Sequence, residues 1–197
     1  MRIHNAKFIL VLLHVLASVS CKKAQDLKAF TEASYALQGV ERVMLNDLNV
    51  TERKSLYDFR AEEGDSLMQA FNNNQLRLSG LLHLQVTMKE SEEVRSMQVK
   101  RLKWQLLVDG EKTLEGIVKK PMLLKNGLNT LPVNSSVTLS EVDGFQNYEG
   151  LSKLTTLLSQ NKDLRQSITI RIKPTIDTPL GNVELPNYIT VSKPPGS

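Results

Sequence analysis

The sequence predicts an all-β domain, a sandwich of antiparallel strands with one or two short accessory helices. Three observations carry that prediction. Leu76, Leu78, Gly80, Leu82, Leu84, Val86 and Met88 occupy every second position, the period of a strand with one face buried and the other in water. Leu102, Trp104, Leu106 and Val108 repeat the alternation and run into Asp109-Gly110, a strong hairpin signal, before Thr113–Val118. Ile168, Ile170, Ile172 and Ile176 then alternate with Thr169, Arg171 and Lys173.

In chain order, Arg2 and Lys7 precede the apolar run 8–17, broken only by His14. That is the order of a secretory signal, and residues 1–20 are read as a signal peptide. A run of ten residues falls well short of the ~20 needed to span a bilayer. Ala17-Ser18-Val19-Ser20 then leads to Cys21, the single cysteine. These residues resemble the lipobox of bacterial lipoproteins, although Ser18 stands where leucine is commonest. The resemblance implies that Cys21 is the lipidation site, carrying a diacylglyceryl group and a further acyl chain such as palmitate. More than one chain is what stable anchoring takes. Ordinary secretory cleavage after Ser20 and an uncleaved short anchor are the competing readings. Lys22 and Lys23 begin a lipidated tether over 21–34, with one helical turn expected near Leu27–Phe30.

The folded domain is expected over 35–192. Val40, Val43, Leu45, Leu48 and Val50 suggest a strand interrupted at Asn46-Asp47. Ala61–Phe71 reads as a helix with Glu62 and Glu63 at its positive end, with Leu67, Met68 and Phe71 on one face, and with a stop at Asn72-Asn73-Asn74. Glu90, Glu92 and Glu93 raise the question of calcium, but they lack the spacing of a calcium loop and read as a charged connection. Trp104 falls at a core phase and His83 on a polar face. Asn126-Gly127 marks a second turn before Leu128–Leu139, where Pro132 calls for an edge or a bulge. Tyr148, Leu151, Leu154, Leu157 and Leu158 define a leucine-faced helix from about Asn147 to Ser159. Pro179–Asn182 turns the chain toward Val183, Leu185, Ile189 and Val191, and 193–197 is a tail.

Composition narrows the function. Of 197 residues, removal of 1–20 leaves 177, enough for one ordinary domain. Loss of Arg2 and Lys7 leaves 23 basic against 21 acidic residues, a near balance that gives no electrostatic footprint for nucleic acid. His83 is then the single histidine. With no cysteine free of lipid, zinc sets and Ser-His-Asp or Cys-His triads cannot readily be assembled. No catalytic, metal or cofactor residues are assigned, and the chain is read as a non-enzyme.

Ile172–Gly181 with Pro186–Val191, and Leu102–Gly110 with Leu114-Glu115-Gly116, resemble the closing and central hairpins of bacterial lipoproteins with a late embryogenesis abundant type 2 domain. That family is related to the water-stress and hypersensitive-response domain. The resemblance spans roughly Tyr35–Ser192. Where the family carries Asn-Pro-Asn, this chain reads Met88-Lys89-Glu90-Ser91, which leaves that loop's role open. The resemblance implies an immunoglobulin- or fibronectin-III-like sandwich, no catalytic residues, and a role in stress tolerance or envelope accessory work. The expected protein is an envelope lipoprotein, at the outer membrane or a periplasm-facing membrane. It would act as a binding or accessory module with the membrane and an envelope protein as partners. The alternative is a carrier of an apolar ligand or lipid within the sandwich.

Overall fold

The computed structural model describes residues 25–51, 53, 58–89, 95–159, 167–178 and 181–192. The signal segment, Cys21, the glutamates of 90–93 and the tail at 193–197 lie outside the described residues. A helix at 25–32 (α1) precedes β1 (Ser34–Leu45), β2 (Leu48–Asn49), α2 (Ala61–Asn72) and β3 (Arg77–Thr87). Next come β4 (Ser96–Val108), β5 (Glu111–Val118), β6 (Met122–Lys125) and β7 (Gly127–Leu139). The chain continues through β8 (Glu141–Val142), β9 (Phe145–Gln146), α3 (Tyr148–Ser159), β10 (Ile168–Thr178), β11 (Gly181–Glu184) and β12 (Ile189–Val191).

Antiparallel pairing runs β11-β10-β4-β5-β7-β3-β1-β2 and divides into two facing layers. One layer is β1, β3 and the first half of β7; the other is β10, β4 and β5, with β6 continuing β5 along β4 at Val99↔Met122. β7 links them, since it pairs with β3 from Gly127 to Ser136 and with β5 from Ser135 to Leu139. Pro132 lies opposite Leu81, in the half of β7 that has β3 alone beside it, so its missing N–H breaks no ladder. At the opposite edge a parallel bridge joins Ala36 to Ser192. There the Leu37 N–H donates to Ser192 O and the Ser192 N–H to Tyr35 O, at 2.9 and 2.8 Å.

Turn chemistry explains the hairpins. Asp109 and Gly110 have φ of 50° and 87°, and Asp143 and Gly144 have 52° and 82°, the paired positive values of a two-residue turn whose twist matches the strands. Between β6 and β7 the layers part. Asn129 replaces the missing ladder: its side chain accepts from the Lys125 N–H and donates to the Lys125 and Gly127 carbonyls, at 2.8, 2.8 and 2.9 Å.

One end of the sandwich is closely packed. Phe30 of α1 is fully buried in one core cluster with Tyr35, Val86, Val99 and Leu124, and the Tyr35 hydroxyl donates to Phe30 O at 2.6 Å. Burial pushes that phenol well above its usual pKa. Arg95 holds Asp26 at 3.1 Å, tying α1 to the approach to β4.

Several elements differ in extent from their sequence signals. The stretch read as a tether contains α1, and β1 begins at Ser34 rather than near Val40. A register shift between Leu37 and Gly39 flips the apolar phase from Tyr35 and Leu37 to Val40, which hid the first half of the strand. The sequence pattern does not announce β6, β8 and β9. In α2 the buried residue is Glu63, and Met68 is 53% exposed. Tyr148, placed by its spacing on the leucine face of α3, is exposed and donates its hydroxyl to Gln146 Oε1 at 2.7 Å; Leu154 is buried. The helix starts at Tyr148 because Asn147 caps it, accepting from the Gly150 N–H at 2.8 Å.

Candidate ligand cavity

At the other end of the sandwich the layers are not filled. The inward phase of β3 continues from Met88, Val86 and Leu84 to Leu82, Gly80 and Leu78, but opposite this second group lies a cavity of about 240 Å3 that opens to solvent. Val40 and Val43 of β1 and Val133 of β7 border it beside β3. From the facing layer come Leu102, Trp104 and Leu106 of β4, with Ile170 and Ile172 of β10.

Local backbone chemistry shapes this space. β1 carries a second register shift between Glu41 and Met44, with Arg42 at φ 52°. The bulge folds over Gly80, where a Cβ would lie 3.1 Å from the Glu41 carbonyl oxygen and 3.4 Å from that of Arg42. Glycine is what permits that approach. Trp104 pairs across the ladder with Gly116, and its indole lies where a Gly116 side chain would stand: a Cβ would be 2.7 Å from Trp104 Cζ2 and 2.1 Å from Ser136 O. The indole N–H donates to Ser135 Oγ at 2.8 Å, and that hydroxyl donates to Ser136 O at 2.8 Å. The polar edge of the tryptophan is therefore satisfied away from the cavity.

Among the described residues, no acidic, basic or histidine side chain lines the cavity, and Ser79 supplies its single hydroxyl. Such a lining offers dispersion and water exclusion, with no group for acid–base work.

Charged groups lie elsewhere, and several form ion pairs. Glu184 sits 2.8 Å from Lys103 and 3.2 Å from Lys173. The hydrogen bond from Lys103 holds its carboxyl below the usual range and raises the Lys103 ammonium in return. Lys173 also lies 5.6 Å over the Tyr188 ring. His83 is half-buried, with Thr130 Oγ1 3.1 Å from Nδ1 and Glu41 Oε1 3.1 Å from Nε2. Among the described residues no group of three or more His, Cys, Asp or Glu could hold a metal ion, and no helix is long and apolar enough to cross a membrane. Cys21, the expected lipidation site, and the calcium question at Glu90, Glu92 and Glu93 lie outside the described residues.

The alternation puts Leu78, Gly80 and Leu82 with Leu102, Trp104 and Leu106 on inward faces and Val40 and Val43 on a strand, but it gives Gly116 and Ser135 no part in seating the indole. For Gly116 a signal exists: a glycine directly across a hairpin from a tryptophan is a common way to seat the ring.

No family model and no curated protein matches the chain. Among solved structures it is similar to a crystal structure of a protein from Archaeoglobus fulgidus, with a TM-score of 0.33 and 15% identity, over 79% of this chain and 94% of that one.

Proposed function

We propose that the chain is a non-enzymatic lipoprotein of the cell envelope that carries an apolar ligand between its two layers. The open apolar cavity of about 240 Å3 is the observation that supports this reading. Its volume approaches the lower end of the range typical for ligand sites, roughly 300–1,000 Å3. Attachment to the membrane rests on the leader and Cys21. The grouping of β1, β3 and β7 against β5, β4, β10 and β11 supports the immunoglobulin- or fibronectin-III-like form of the sandwich.

Two measurements test the proposal. Cys21→Ala moves the protein from the membrane to the soluble fraction; a variant that stays wholly membrane-bound contradicts lipidation. Solvent extraction of that soluble form, purified without detergent, releases a bound apolar compound detectable by mass spectrometry. Val133→Phe, or Ile170→Phe if the first folds poorly, puts a ring into the cavity and abolishes the bound compound. Equal amounts in the parent and the filled variant contradict the carrier reading.

A further inference from the structure

Resting on that reading, we infer that the ligand is a single unbranched alkyl chain of roughly ten carbons whose polar end stays in water. Most of the lining comes from two strands, Leu78 to Leu82 on β3 and Leu102 to Leu106 on β4. Each stretch is four residue steps long, about 13 Å at the rise of a strand. Val40, Val43 and Val133 flank β3, and Val118, Ile170 and Ile172 flank β4, so these two strands lie centrally in the two walls. A volume of 240 Å3 spread over that length leaves a cross-section of about 18 Å2, the girth of one hydrocarbon chain. An apolar cavity of about 150 Å3 accommodates one benzene molecule; at the same ratio this one holds roughly ten carbons.

The lining also fixes which end of the ligand enters. A carboxylate or ammonium inside would be stripped of water with no counter-charge among the described lining residues. The indole N–H of Trp104 is already engaged by Ser135. The polar end therefore remains at the open side, where Val40 is 52% exposed.

Trp104 is the chain's single tryptophan, and its fluorescence reads the cavity directly. The full chain carrying Cys21→Ala, free of detergent, is titrated with linear carboxylic acids of six to sixteen carbons. The expected Kd falls about fourfold with each added methylene until roughly ten carbons, and by less than twofold per methylene beyond. Val133→Phe shifts the break to shorter chains, and Ile170→Phe serves if that variant does not fold. A lysophospholipid with a ten-carbon chain that binds alongside the acid assigns the chain to membrane lipid, and its exclusion assigns a free acid; both outcomes support the single-chain inference. A fourfold gain that continues to sixteen carbons overturns it, as does an adamantane acid that matches the linear ten-carbon acid. No response at any length overturns the carrier reading beneath it, so the two failures are told apart.

Discussion

Trp104, Gly116 and Ser135 show how single residues set one wall of the cavity. The indole needs the empty space above Gly116 and the hydroxyl of Ser135, and both are supplied by strands that β4 does not control alone. Gly116→Ala puts a methyl group 2.1 Å from the backbone oxygen of Ser136, a contact that no rotamer change relieves. The expected cost is about 3 kcal/mol, measured by denaturant unfolding, with Trp104 emission moved to the red. A variant as stable as the parent would mean that the β5–β7 ladder yields more easily than its pairing implies.

Among the elements, α2 depends most on its cap. Glu63 accepts from the Arg60 N–H at 3.0 Å and from the Arg60 guanidinium at 2.9 Å, and Arg53 lies 3.5 Å away. The backbone hydrogen bond, then the guanidinium, holds its carboxyl below the usual glutamate range. A folded-state pKa lowered in this way contributes stability that is present above the unfolded value, about 4.3. That contribution is lost as pH falls through the folded value. Thermal midpoints of the parent and Glu63→Gln should therefore differ at pH 7 and converge toward pH 3; a constant gap contradicts the charge-based account. With Met68 exposed and Glu63 buried, α2 owes more to this cap than to an apolar face. Its helical period and acidic first turn were readable in the sequence, whereas its low burial was not, because a helical stripe does not reveal whether anything covers it.

At the scale of the whole molecule the same limit applies to the sandwich. Alternation along β3, β4 and β10 declared which side chains point inward, and Asp109-Gly110 and Asn126-Gly127 declared the turns. Leu78 and Leu82 share their phase with Leu84 and Val86, however, and phase alone does not distinguish a packed face from the wall of a cavity. What separates them is the second bulge in β1, a long-range feature set by the register of other strands. β6 was hidden by its brevity, four residues between Pro121 and Asn126.

In the proposed complex an apolar chain occupies the space beside Trp104. Quenching of Trp104 fluorescence by a ten-carbon acid brominated near its methyl end tests it most directly. Saturable, one-to-one quenching that is lost in Val133→Phe is the predicted result. Quenching that rises linearly without saturation, or that is equal in the filled variant, would show that the cavity does not take the chain.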